Sequence, residues 1–201
     1  VDGDTFKVDG LDTSLRLLGI DTEEKFWNER EKRAREGAGS WDAYTKQMRG
    51  SSGRPVKMAS PMGEAASKFA KQWFADVTEV RLERDHPKEI RDRYDRYLAY
   101  VFAQKGGVWL NYIVEIVRAG YSPYFMKYGY SARFHDDFVA AQKEARAAGR
   151  GIWDPMLDHY PDYEERKPWW TARAEFIAEF DRQAKDRDDF INLTHYDALK
   201  R

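Results

Sequence analysis

Two acidic clusters in the chain have the side chains that a hard metal ion requires. The sequence VDGDT places Asp2 and Asp4 on either side of a glycine, and IDTEE supplies Asp21 and Glu24. Carboxylate oxygens are the ligands that Ca²⁺ and Mg²⁺ prefer. Each cluster alone is more typical of a polar turn. Together they indicate a site for one divalent cation.

A third cluster is basic. The sequence RDRYDR places Arg91, Arg93 and Arg96 directly before an apolar segment. Arginine binds phosphate oxygens through paired hydrogen bonds. Cleavage of a phosphodiester requires a metal and cations to stabilise negative charge, and a carboxylate to orient or deprotonate water. The three clusters together therefore indicate phosphodiester chemistry.

Arg16 interrupts the apolar run LRLLGI, which leads into the second acidic cluster. Successive side chains of a strand point to opposite faces, so Leu15 and Leu17 are expected in the core and Arg16 outside it. The end of a strand is where a barrel presents side chains to a ligand. We therefore expect Arg16 to act beside Asp21 and Glu24.

The pattern of apolar residues predicts short strands interrupted by helices. A short charged helix ending near Gly37 is also compatible with the sequence, and Ser131 is a candidate cap for the last helix before residue 149. Short strands with glycine-rich turns suit a small closed barrel of about five strands. The predicted strands lie at 5–8, 15–20, 77–85 and 97–103, and the predicted helices at 63–75, 109–120 and 131–148.

Residues 25–62 form a long segment without strand periodicity. They carry nine basic and four acidic side chains, a net charge of +5. A basic segment can contact phosphates, but it is also typical of a solvated loop. Both interpretations remain open.

The C-terminal residues 155–201 differ from the rest, with 8 basic and 11 acidic side chains. A proline-rich linker precedes a predicted amphipathic helix at 169–187, which we expect to pack on the barrel rather than on a partner. The pair Trp169–Trp170 is expected to pack rather than to stack on bases. An acidic tail that occupies the phosphate site is a further hypothesis. The apolar stripe of the helix comprises Trp170, Ala174, Ile177 and Ala184.

Composition sets broad limits. The chain has 201 residues, 42% of them hydrophobic and seven of them Trp, so it can bury a sizeable core. The absence of cysteine excludes disulfides and thiolate metal sites. A net charge of −1 gives no global argument for nucleic acid. No apolar run is long enough for a transmembrane helix, so we expect no membrane partner. No obligate protein partner is evident, and the four histidines lack a common metal-ligand spacing.

Six stretches of the sequence, in order, resemble the staphylococcal nuclease (thermonuclease) family. They cover most of residues 1–154, which we interpret as one domain carrying the insertion 25–62 and followed by the extension 155–201. The stretches are VDGDTFKV, LRLLGIDTEE, GEAASKFAKQWF, RDRYDRYLAYVF, WLNYIVEIVRAGY and AQKEARAAGRGIW. The resemblance implies an α+β fold with a five-stranded OB-type β-barrel and three helices, to which this chain adds a C-terminal helical extension.

The resemblance also implies an activity: a Ca²⁺-dependent nuclease that cleaves DNA and RNA and leaves 3′-phosphates. By position, Asp4 and Asp21 match the calcium carboxylates, and Thr22 matches a ligand through its backbone carbonyl. Asp2 matches an acid near the metal. The remaining matches are Arg16 and Arg96 for the catalytic arginines, Glu24 for the general base, and Arg93, Tyr94 and Tyr128 for substrate contacts. Tyr124 and Tyr130 are alternatives to Tyr128.

Some positions depart from the family pattern. Glu23 replaces a proline before Glu24 and is a rival for the role of base. Asp95 replaces a small residue before Arg96, and a pair between the two would weaken the contact with phosphate.

The alternative to an enzyme is a catalytically silent module of the same fold that binds nucleic acid or protein. Bacterial relatives are typically exported, so we expect a secreted or periplasmic protein. Val1 opens directly into a patterned segment, and we expect that the native N-terminus precedes it.

Overall fold

A computed structural model describes residues 2–52, 57–86 and 90–185. For residues 184 and 185 it describes the backbone only. In these ranges lie five strands: β1 (Thr5–Phe6), β2 (Leu15–Leu17), β3 (Val80–Glu83), β4 (Tyr97–Lys105) and β5 (Val108–Asn111). The α-helices are α1 (Glu29–Gly37), α2 (Trp41–Arg49), α3 (Pro61–Trp73), α4 (Tyr112–Arg118), α5 (His135–Ala147) and α6 (Tyr163–Lys185). Predictions for His195 and for the side chain of Ala184 fall outside the described residues.

The long strand β4 organises the sheet. It pairs in parallel with β2 and antiparallel with β3 and β5, and β1 pairs antiparallel with β2. The strand pairings of the described residues therefore form an open sheet in the order β1-β2-β4-β3, with β5 also on β4. The mixed α+β class is confirmed, whereas this pairing does not close the predicted barrel.

The helix count differs from the prediction. The three helices of the predicted domain correspond to α3, α4 and α5, and the predicted C-terminal helix corresponds to α6. Segment 25–62 adds α1, the charged helix that the sequence allows up to Gly37, and α2, which was not predicted, so the described residues contain six α-helices. Serine and asparagine caps explain where the extra helices begin: Asn28 accepts from the amide of Glu31, and Ser40 accepts from Ala43. The predicted helix 109–120 is wrong in its first three residues: 109–111 belong to β5, where pairing with β4 determines their conformation, and α4 begins only at Tyr112.

The core lies between the sheet and the helices. Leu15 and Leu17 are fully buried, as the alternation of β2 predicts. They pack with Tyr112 and Ile116 of α4 and Phe138 of α5. In the turn before α5, the Ser131 hydroxyl accepts from the amide of Phe134 at 2.8 Å, so this serine does order the helix entrance.

The C-terminal helix α6 contributes to the same core. Trp170, Ala174 and Ile177 are buried, and the Trp170 ring meets Phe125 edge-on at 4.9 Å. Trp169, in contrast, is half exposed and lies within 5.2 Å of the cations of Lys127 and Arg173. Within the described residues, no helix is both long and apolar enough to span a membrane.

Candidate active site

The β1–β2 hairpin brings the first acidic cluster to Arg16. Thr5 faces Arg16 in the register of the hairpin, so Asp4, one residue earlier, reaches the guanidinium. Asp2 shapes this loop by accepting the amides of Asp4 and Thr5 at 3.3 and 2.8 Å. The role of Asp2 in the structure is therefore to order the loop that presents Asp4.

Arg16 lies between two carboxylates. Its guanidinium forms ion pairs with Asp4 and with Asp21, the latter at 2.9 Å, and donates to the Ile20 carbonyl at 3.2 Å. Burial alone would lower the pKa of Arg16, but the charges of Asp4 and Asp21 outweigh this effect, so the pKa lies above its ordinary value. The side chain does leave the core, as predicted, but it lies largely buried between the two carboxylates, with 17% of its surface exposed.

The loop after β2 is fixed by backbone contacts. The amide of Asp21 donates to the Ser122 hydroxyl at 3.0 Å, and the amide of Thr22 donates to Asp4 at 2.9 Å. Gly3 makes this possible, since a Cβ there would lie 2.7 Å from the Thr22 methyl group. The Thr22 hydroxyl is buried without a hydrogen-bond partner. The two acidic clusters thus form one unit.

Lys57, from the insertion, also enters this unit. Its Nζ lies 2.8 Å from Asp21 Oδ1 and 3.6 Å from Glu24 Oε1. Burial lowers the pKa of Lys57, but the negative charges of Asp21 and Glu24 outweigh that effect, so the pKa is raised. No motif or spacing predicts this contact, because Lys57 lies in a segment without periodicity.

Glu24 faces the acidic unit and is partly accessible, with 38% of its side chain exposed. Its pKa is raised, first by burial and then by the charges of Asp4, Asp2 and Asp21, while Lys57 opposes the shift. A carboxylate with a raised pKa is a stronger base near neutral pH.

Glu23 is placed quite differently. It is only 5% exposed, and its oxygens accept from the Ser60 hydroxyl at 2.5 Å and from the Tyr160 amide at 2.6 Å. Burial raises the pKa of Glu23 to about 7. Both oxygens are thus engaged inside the protein, which favours Glu24 over Glu23 as the candidate base.

The N-terminal end of helix α3 contacts the backbone of Glu24. The amide of its cap residue, Ser60, donates to the Glu24 carbonyl at 2.9 Å, and Glu24 forms a β-bridge with Ala59. At Gly63 a Cβ would lie 2.1 Å from the Glu24 carbonyl oxygen. Only glycine permits this approach of helix and loop.

Arg96 directly precedes β4, which runs parallel to β2, the strand that contains Arg16. The Arg96 guanidinium is bonded to Asp92 at 2.6 and 2.8 Å. The predicted pair with Asp95 is wrong. Asp95 adopts a left-handed φ of 63° and bonds to Arg91 at 2.9 Å, whereas the Asp92 carboxylate accepts both the backbone and the side chain of Arg96.

The predicted substrate-binding residues lie at the surface. Arg93 donates to the Tyr94 hydroxyl at 2.6 Å, and the guanidinium of Arg96 lies 5.3 Å from the Tyr94 ring. Tyr128 is 60% exposed, whereas Tyr124 is buried and bonds to His135 at 3.1 Å. Exposure therefore favours Tyr128 over Tyr124 for a contact with a nucleobase of the substrate.

Comparison with known proteins identifies the family. Residues 14–155 match the family model described as staphylococcal nuclease homologue. The chain belongs to the staphylococcal nuclease family. It is 31% identical over 156 residues to the thermonuclease of Staphylococcus hyicus, covering 76% of this chain and 71% of the relative. It is 28% identical to the thermonuclease of Staphylococcus intermedius, with 77% and 72% covered.

A third relative broadens the comparison. An uncharacterised protein of Methanocaldococcus jannaschii is 27% identical over 156 residues, covering 77% of this chain and 68% of the relative. The matched region of the staphylococcal nuclease family contains Arg16, Asp21 and Glu24, while Asp4 and Tyr160 lie outside it on either side. Membership supports a fold and a nuclease type.

Proposed function

We propose that the chain is a calcium-dependent nuclease that hydrolyses phosphodiester bonds of DNA and RNA and leaves 3′-phosphate ends. The observation that carries the proposal is the position of Arg16 between Asp4 and Asp21, beside a partly exposed Glu24. Family membership and the similarity to two thermonucleases support the same chemistry.

In this proposal Glu24 accepts a proton from a water molecule. The oxygen of that water attacks the phosphorus, the bond from phosphorus to the 5′ oxygen breaks, and the 5′ oxygen takes up a proton from solvent and leaves as a hydroxyl. Arg16 and Arg96 donate hydrogen bonds to the phosphate oxygens, on which negative charge increases in the transition state. The raised pKa of Glu24 supports its role as the base.

The residues around Arg16 are suited to calcium by their chemistry. Asp4 and Asp21 already share one cationic partner, so their oxygens converge on a common region. In the described residues, no group of three or more acidic or histidine side chains is placed to hold a metal ion. In this proposal the carboxylates of Asp4 and Asp21, the Thr22 carbonyl and water would form the ligand set. Bound calcium would supply a positive charge opposite the phosphate.

Arg93, Tyr94 and Tyr128 are the proposed contacts with the rest of the nucleic acid. An arginine on an exposed ring can exchange that ring for a phosphate, and an exposed tyrosine can stack on a base. Arg93 lies 4.7 Å from the Tyr94 ring, and Tyr128 lies 5.3 Å from Lys127.

The test is digestion of single-stranded DNA, RNA and plasmid DNA with Ca²⁺ and with EDTA, followed by analysis of the product ends. We expect cleavage only with Ca²⁺ and products that carry 3′-phosphates. Arg16→Ala and Glu24→Ala should each lower the rate by at least about 100-fold. The matched controls, Arg118→Ala and Glu144→Gln, alter an ion pair between α4 and α5 and should retain activity.

Two outcomes contradict the proposal. Full activity of Arg16→Ala or Glu24→Ala would remove the assigned roles. Binding of single-stranded DNA without cleavage, in any divalent metal, would instead support the catalytically silent module.

A further inference from the structure

The segment 158–162 follows the part of the chain that the family model matches, and the insertion holds it on one side. Asp158 forms an ion pair with Arg35 of α1. The indole of Trp41, at the start of α2, donates to the His159 carbonyl at 2.8 Å. Segment 25–62 and the residues that follow the family match are therefore bound to each other.

On its other side, the segment contacts Glu23, Glu24 and the adjoining Met58 through Tyr160. We call Glu23, Glu24 and Met58 the glutamate loop. The tyrosine hydroxyl donates to the Met58 carbonyl at 2.6 Å and accepts from the amides of Met58 and Glu24 at 3.1 and 3.2 Å. The backbone amide of Tyr160 donates to Glu23 at 2.6 Å. A single residue thus contacts both chain segments of the loop that carries Glu24.

The hydroxyl of Tyr160 is fully used. A phenolic hydroxyl has one hydrogen to donate and two lone pairs to accept with, and all three have a backbone partner here. The ring is half-buried, with the Arg166 guanidinium 5.7 Å from its centre. Loss of the hydroxyl would leave three backbone groups of the loop without this partner.

We propose that Tyr160 is a positioning residue for Glu24: it fixes the glutamate loop so that the carboxylate is held toward the phosphate. The inference rests on the proposed function for the role of Glu24. The anchoring of the loop by Tyr160 is measurable without it.

The test compares Tyr160→Phe with Tyr163→Phe in the full chain. Tyr163 is a matched control because it lies three residues further on and its hydroxyl bonds to Gln142 at 3.2 Å instead of the loop. In Tyr160→Phe we expect kcat to fall by about 10- to 100-fold with KM within about twofold. Amide exchange at Glu24 and Met58 should become about tenfold faster. Tyr163→Phe should leave kcat and both amides unchanged.

Each result decides between the proposals. Equal losses of kcat in the two variants, or unchanged exchange at Glu24 and Met58, would overturn the positioning role. Rapid exchange of these two amides in the unmodified protein would overturn it without any variant. Absence of cleavage by the unmodified protein would overturn the proposed function alone, and the exchange rates would still decide whether Tyr160 anchors the loop.

Discussion

The burial of Glu23 predicts an unusual dependence of stability on pH. Its pKa rises from an ordinary 4.5 to about 7 in the folded protein. Between these values the folded state retains a proton that the unfolded state has released, so the free energy of unfolding falls as pH increases. At 1.36 kcal/mol per pKa unit, this shift corresponds to a loss of about 3 kcal/mol by pH 8.

Glu23→Gln removes the titration while keeping the shape of the side chain. In the unmodified protein the Glu23 carboxylate accepts from the Tyr160 amide and from the Ser60 hydroxyl. In the variant, the side-chain oxygen of glutamine can still accept from the Tyr160 amide, and its side-chain nitrogen can donate to the Ser60 hydroxyl. Relative to the unmodified protein, we expect the variant to gain stability as pH increases, by about 3 kcal/mol between pH 4.5 and 8.

The assay is urea unfolding at half-unit steps from pH 4.5 to 8, with EDTA present so that metal binding makes no contribution. Glu24 also has a raised pKa, but it titrates in both proteins and cancels in the difference. Glu144→Gln serves as the control, because the hydrogen bond from Arg150 lowers the pKa of that carboxyl, so its titration causes no fall in stability as pH increases. Parallel curves for Glu23→Gln and the unmodified protein would refute the reasoning.

Three further predictions follow from the site. Asp92→Asn should release Arg96 for phosphate and lower the KM for single-stranded DNA by up to about fivefold at low salt; an unchanged or higher KM would contradict this. Lys57→Met should strengthen Ca²⁺ binding about tenfold by calorimetry, since a competing positive charge is removed; equal affinity would show that the ammonium does not compete. Gly63→Ala should reduce the free energy of unfolding by about 1–3 kcal/mol through overpacking, whereas Gly37→Ala, with open space around it, should not. Denaturant titrations of both variants measure that difference, and equal effects would count against the close approach.

The sequence predicted the local geometry of β2. Strand alternation predicts that Arg16 leaves the core between two buried leucines, and the structure has this arrangement. This feature depends on a single strand, where short-range pattern determines geometry. The ion pairs of Arg16 with Asp4 and Asp21 were not predicted, and the roles assigned to these residues stay predictions.

Long-range contacts could not be predicted in the same way. Tyr160 and Glu24 are 136 residues apart, and no periodicity connects them. Lys57 lies 36 residues from Asp21, in a segment whose composition is typical of a loop. Asp92 and Asp95 are both close to Arg96 in the sequence, so spacing alone does not show which of them pairs with it. In the structure Asp95 has a left-handed backbone and bonds to Arg91, and Asp92 pairs with Arg96.

Segment 25–62 and segment 158–162 contact each other, and this affects where the chain can be shortened for experiments. The family match ends at residue 155, five residues before Tyr160. A protein shortened at that boundary would leave Glu23 without the Tyr160 amide and would uncover Phe125, which the Trp170 ring meets edge-on. For this chain, the end of the recognisable family pattern is not the end of the unit that folds.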